Sequence, residues 1–201
     1  MCGIAGIMLK SGRPRSNIST GTALIEMLDG CQHRGPDSTG FALYSAYTEG
    51  QLKLRFLIGE GASADESVRL IKAALLERGA RVLDEERIGD NYKVKVQVSG
   101  DLRKFAYAME HAAPDAKVIS IGESLEIVKD IGGAHDVDDA YHVRDFHGTH
   151  GIGHVRLATE SDVTPDASHP FWATGFSDVA IVHNGQITNY YKMRRRLEKR
   201  G

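Results

Sequence analysis

The sequence predicts an α+β chain, and three observations predict it. Apolar residues alternate at period 2 near both ends, a helical apolar spacing follows the first alternating segment, and the middle third reads β-α-β-β-α-β. Residues 2–9 set small and apolar side chains around Gly3 and Gly6, which suits a strand buried between layers where another backbone comes close. Residues 11–19, with Gly12 and Pro14, read as a loop. A helix is predicted over about 20–32, because Ala23, Leu24, Met27, Leu28 and Cys31 recur at i, i+1, i+4, i+5 and i+8. Gly35, Pro36 and Gly40 keep the following run, HRGPDSTG over 33–40, from being helical, and 41–47 is then a strand.

In the middle, 52–58 reads as a strand, 65–77 as a helix and 81–87 as a strand. After the turn Gly89-Asp90-Asn91, residues 92–98 alternate cleanly as Tyr, Lys, Val, Lys, Val, Gln, Val. Asp101 is placed to cap a helix running to about 111, and 117–121 is another strand. This is the split ferredoxin-like order, so residues 51–121 are expected to be an inserted α/β subdomain, with 1–50 and 122–201 forming the surrounding domain. A short helix over 124–131 and a His- and Gly-rich linker follow. Buried strands return over 151–158 and 179–183, joined by a loop carrying Pro165, His169 and Pro170, and a strongly basic helix begins at Asn189.

Composition narrows the function. With 41% hydrophobic and 26% charged residues the chain falls outside the disordered classes. The net charge of −2 gives no global field to attract nucleic acid or an anionic membrane. No run reaches the ~18 apolar residues of a membrane span, and MCGIAGIMLK lacks the basic and apolar regions of a secretion signal. Two cysteines are too few for a disulfide scaffold and fit a reducing cytosol, so a soluble cytoplasmic chain is expected. No cofactor and no metal is expected. His147, His150 and His154 would align on a helix, but Gly148, Gly151 and Gly153 argue against one there. The basic run from Lys192 to Arg200 reads as a solvated face or a dock for an acidic partner rather than a nucleic-acid contact.

Three positions carry candidate chemistry, each with a plainer reading beside it. Removal of Met1 would leave Cys2 with a free α-amine next to its thiol. Reference values of ~8.5 for a thiol and ~7.7–8.0 for an α-amine suit a nucleophile and base in one residue, whereas most cysteines are small buried hydrophobes. Asn184-Gly185 at a strand end reads either as a tight turn or as two donors for an oxyanion. Arg156, inside an apolar strand, must meet an anion, either a substrate carboxylate or an internal partner.

Together MCGIAG at the chain start, HRGPDSTG, GHVRLAT and HNGQITNY resemble the class II glutamine amidotransferases, which are N-terminal-nucleophile hydrolases with an αββα sandwich fold. The resemblance covers roughly residues 1–44 and 148–197, in the family's order. It implies Cys2 as nucleophile on the glutamine side-chain amide, its α-amine as base, and Asn184 and Gly185 as the oxyanion hole. It further implies Arg156 on the substrate α-carboxylate and Arg34 bracing the nucleophile, with Thr159 and His183 of the same motifs as substrate-binding positions. Ammonia would leave and a γ-glutamyl thioester on Cys2 would hydrolyse to glutamate.

Two departures stand out. Glu160-Ser161 follow Thr159 where several members have His-Gly, and the acidic residue that the family places on a later segment for the substrate α-amine is not reached. The resemblance therefore implies that further chain or a partner completes the site. Within the family, RLATES with His169-Pro170-Phe171 and HNGQITNY looks most like the separate amidotransferase subunit of archaeal-type glutamate synthases. That implies glutamine as substrate, a synthase subunit that accepts the ammonia, and an oligomer. Asparagine synthetase, which HRGPDS also resembles, and a non-catalytic regulatory or assembly subunit are the alternatives.

Overall fold

The computed structural model describes residues 2–10, 18–158 and 162–200. Its elements in chain order are β1 (Gly3–Met8), α1 (Thr20–Asp29), β2 (Ser38–Tyr44), β3 (Gln51–Leu57), α2 (Gly61–Glu77), β4 (Arg81–Ile88), β5 (Asn91–Gln97), α3 (Leu102–Glu110), β6 (Lys117–Gly122), β7 (Leu125–Ile131), α4 (Ala134–Tyr141), β8 (His150–Arg156), β9 (Phe171–Trp172), β10 (Ala180–Ile181) and α5 (Tyr190–Glu198). The strands form two four-stranded sheets, ordered β1-β8-β2-β7 and β4-β5-β3-β6, and a two-stranded ribbon of β9 and β10. Every strand pair is antiparallel. Among the described residues no helix is long and apolar enough to cross a membrane.

The first sheet draws on both ends of the chain. On one of its faces lies α1, whose N-cap Ser19 accepts the Thr22 N–H at 2.9 Å through Oγ. Leu24 and Leu28 of α1 are fully buried and sink onto two glycines of β8. A Cβ on Gly151 would stand 2.7 Å from Leu24 Cδ1, and one on Gly153 would stand 2.6 Å from Leu28 Cδ1. The bare strand thus gives the helix its close seat, and each buried leucine contributes roughly 1.5–3 kcal/mol. Phe41, Leu43, Val128 and Val155 complete this core with Val137 of α4.

The middle block has its own core. Leu54, Phe56, Tyr92, Val94 and Val96 from the sheet meet Ile71 and Leu75 of α2 and Phe105 and Met109 of α3. Asp101 caps α3, accepting from the Arg103 and Lys104 N–H groups at 2.8 and 3.2 Å. The strand order of the block, second-third-first-fourth in its own numbering, is the ferredoxin-like order. Its junction with the first sheet holds a buried ion pair, Arg55 to Glu126 at 3.3 Å, with Lys93 2.8 Å from the same carboxylate oxygen. Burial pushes the Glu126 carboxyl up, but Arg55 and Lys93 outweigh it and hold it below the usual carboxylate range.

Three expectations are corrected. Residues 124–131 are not a helix but β7, paired along its length with β2. The segment LEIVKDI fits both periods, and its β-branched Ile127, Val128 and Ile131 together with the waiting edge of β2 decide for the strand. The linker that follows contains α4, begun where the Asp136 carboxylate accepts the Gly133 N–H at 2.7 Å. The late strand expected over 179–183 shrinks to Ala180 and Ile181. Of the four layers that the resemblance implies, the described residues build a helical layer, the first sheet and a two-stranded ribbon beyond it, while α5 buries none of its residues.

Candidate active site

Register brings the chemistry to one end of the first sheet. Gly3 pairs with Val155, while Ser38 pairs with both Arg156 and Ile131, so the starts of β1 and β2 meet the ends of β7 and β8. Cys2 stands just before β1 and is half-buried. Its Sγ accepts the Leu157 N–H at 3.5 Å, directly after β8. Asn184 arrives from the turn after β10 and donates from Nδ2 to the Cys2 carbonyl at 2.9 Å. The structure therefore brings together two residues 182 positions apart that the sequence singles out.

Arg156 ends β8 on the sheet face away from α1 and is 7% exposed. Its Nη1 donates to the Asp162 carbonyl at 3.1 Å. Gly185 and His183 are adjacent in space as in sequence, since a Cβ on Gly185 would stand 2.9 Å from His183 Nε2. Arg34 is exposed in the 3-10 turn Gln32–Arg34, and its guanidinium is not hydrogen-bonded to Cys2, so the bracing role does not show in the geometry. Thr159 lies outside the described residues, as do Glu160 and Ser161.

Sequence reasoning missed three residues that build this end of the sheet. Asp37 is a splint: its Oδ2 accepts the Ala158 N–H at 2.7 Å, its own N–H donates to the Arg156 carbonyl at 3.0 Å, and its carbonyl accepts the Gly132 N–H at 3.0 Å. The loop carrying it lies against β8 because Gly35 has no side chain; a Cβ there would be 2.5 Å from the Val155 carbonyl carbon and oxygen. Lys129, 5% exposed, donates to the Ser168 and Asp166 carbonyls at 2.7 and 3.2 Å, with its ammonium 4.7 Å from the centre of the Phe171 ring. Burial pushes its pKa down to about 8.

The third is His154, 1% exposed in the middle of β8. Its Nε2 lies 3.2 Å from the His183 carbonyl oxygen, and its ring lies tilted against His169 at 4.6 Å between centroids. Burial, with Arg156 nearby, pushes the His154 pKa down to about 4; burial, with His154 and Lys129 nearby, does the same to His169. A polar side chain two positions before Arg156, on the same strand face, was the available signal. Of the other late histidines, His150 stacks on Tyr44, and among the described residues no group of three or more His, Cys, Asp or Glu is placed to hold a metal ion.

No family model matches the chain. It is 36% identical over 203 aligned residues to the glutamine amidotransferase-like protein GlxB of Rhizobium meliloti, a match that takes in all of this chain and 64% of that protein. It is 33% identical over 208 residues to a putative glutamine amidotransferase of Methanothermobacter thermautotrophicus, covering all of this chain and 66% of that one. The chain thus spans just under two thirds of the length of these two relatives. A shorter match, 31% over 110 residues, takes in 53% of this chain and 23% of the amidophosphoribosyltransferase of the same archaeon. Two matches along its whole length and a third over half of it show that the chain is similar to glutamine amidotransferases.

Proposed function

We propose that the chain hydrolyses the side-chain amide of glutamine through Cys2 and hands the ammonia to a synthase. The observation that carries this reading is the juxtaposition of Cys2, the Asn184 amide and the buried Arg156 at one end of the first sheet. With Met1 removed, the α-amine takes the proton of the Cys2 thiol as Sγ attacks the amide carbon. The carbonyl oxygen becomes an oxyanion. An Asn amide has two N–H donors, and one is engaged by the Cys2 carbonyl, so the second remains for the oxyanion beside the Gly185 N–H. The protonated α-amine then gives its proton to the leaving nitrogen, and ammonia departs from a γ-glutamyl thioester. Water adds to the thioester and releases glutamate and the thiol.

Arg156 holds the substrate α-carboxylate in this scheme, with Thr159 and His183 as further substrate-binding residues. Residues 51–121 are an insertion in the family core, and their separate hydrophobic core supports that reading. The acceptor is a synthase subunit that makes glutamate from 2-oxoglutarate. The experiment is a steady-state glutaminase assay of the chain alone and with candidate synthase subunits, beside mass spectrometry of its N-terminus. Glutamate release that disappears in Cys2→Ala, from protein lacking Met1, supports the proposal. Retained Met1 with no glutamate released overturns it in favour of a non-catalytic amidotransferase-like subunit, and full activity in Cys2→Ala overturns the assignment of Cys2 as nucleophile.

A further inference from the structure

The Asn184-Gly185 turn is exposed, and it follows a strand of only two residues. Two hydrogen bonds nonetheless tie residues 183 and 184 to the first sheet. One runs from Asn184 to the Cys2 carbonyl, and the other joins His154 Nε2 to the His183 carbonyl. The second comes from a rigid place. His154 is 1% exposed at the centre of β8, in register with Ile4 of β1 and Gly40 of β2. Its ring lies against His169 at 4.6 Å and 32°, and His169 meets the edge of Phe171 at 4.5 Å. Rotation of the His154 ring would have to displace both neighbours.

We infer that His154 is a positioning residue, whose buried imidazole fixes the Asn184-Gly185 turn at the distance from Cys2 that an oxyanion requires. The inference rests on the reading of that turn as the oxyanion hole. A carbonyl only accepts, so Nε2 carries the proton, and the neutral ring leaves Nδ1 as a bare lone pair. That assignment agrees with the surroundings, where Nδ1 is buried and without a partner. A second proton there would be an unpaired buried donor close to Arg156 of the same strand and to His169 and His183 on the loops above, with Lys129 of β7 acting on His169 in turn. The tautomer that holds the turn is thus the one the site permits, and it persists through the neutral range. The imidazole delivers its donor to a carbonyl 29 positions further along the chain, immediately before the residue whose amide meets the nucleophile.

The test compares His154→Leu, His154→Asn and His154→Gln in the full chain. Leu removes the donor, Asn is too short to present a nitrogen at the Nε2 position, and Gln restores an N–H close to it. Expected for Leu and Asn is a fall in kcat of about 10- to 100-fold with KM changed less than about twofold, as for a displaced rather than deleted oxyanion donor. Gln should recover most of the loss. On an Asn184→Ala background the Leu substitution should cost much less than on the wild type, because the donor it positions is already gone. Amide hydrogen exchange over residues 183–187 gives a readout independent of turnover, faster in Leu and Asn and near wild type in Gln.

Equal defects in Gln and Leu, additive losses with Asn184→Ala, or unchanged exchange in the turn would overturn the inference. Loss of glutamine hydrolysis in Cys2→Ala and Asn184→Ala beside a silent His154→Leu sinks this inference alone. Full activity in Cys2→Ala sinks the site assignment beneath it.

Discussion

Acidification between pH 7.5 and 5.0 should destabilise the fold through two rings, His154 and His169. In the folded chain burial pushes both pKa values down to about 4, whereas an unfolded histidine titrates near 6.5. Between those values the unfolded chain binds more protons than the folded one. The stability present above pH 6.5 is therefore lost as pH falls toward 4. At pH 5.0 the unfolded ring has taken up its proton and the folded ring has not, which is worth about 2 kcal/mol per ring and about 4 kcal/mol for the pair.

That loss is a large share of the ~5–15 kcal/mol by which domains are stable. Carboxylates held low by cationic partners, such as Glu126 and Asp166, lose their contribution only below the ordinary carboxylate range, outside this window. Glu123, pushed up by burial and by Asp178, works in the opposite direction near the acid end. The assay is urea unfolding followed by fluorescence of the single tryptophan, Trp172, at pH 7.5, 6.0 and 5.0. His154→Gln should remove about half of the pH dependence. A free energy of unfolding that is flat across the window, or a slope that His154→Gln leaves intact, would refute the reasoning.

Three further outcomes are expected. Asn184→Ala should lower kcat by about 10²–10³ with little change in KM, and loss of affinity at constant turnover would place Asn184 in ground-state binding. Gly35→Ala drives a methyl to 2.5 Å from the β8 backbone, so the 33–40 loop must lift. A loss of stability of about 1–3 kcal/mol by denaturant titration is expected, with a fall in activity as Asp37 leaves Ala158. Cys31→Ala should keep its activity, because Cys31 lies past the end of α1 with Sγ directed at the Met27 carbonyl, 3.4 Å away; inactivation by alkylating Cys31 alone would mean the wrong thiol was chosen.

Legibility in the sequence followed the reach of each interaction. β1, α1, the capped start of α3 and the β-α-β-β-α-β order could be read because periodicity and capping act within a few residues. β7 could not, since LEIVKDI satisfies two periods and the deciding partner, β2, lies more than 80 positions earlier. α4 hid behind Gly132 and Gly133, and its start is held by the Asp136 carboxylate and by Gln32, 102 positions earlier. At the candidate site, Cys2, Asn184 and Arg156 each carried a plainer reading, and the motif resemblance is what joined them. Asp37, Lys129 and His154 act instead on backbone N–H and carbonyl groups, which leave no trace in residue identity at the far end. Arg34 shows the converse, a residue legible by resemblance whose side chain the fold leaves exposed.

The antiparallel pairing of Gly3 with Val155 also sets a schedule for synthesis. At ribosomal rates of ~5–20 residues per second, roughly 10–40 s separate the emergence of Cys2 from that of Asn184. During that interval the middle block has every strand of its own sheet and both of its helices, and can close on local contacts. The first sheet cannot, because β8 has not yet been made and β1 has nothing to pair with. Cys2 therefore waits without Asn184 and Arg156, and Asp37, made early, waits for the Ala158 N–H that it splints. Pairing of β8 with β1 and β2 is the step that closes the first sheet, and the Asn184 contact with Cys2 can form only after it.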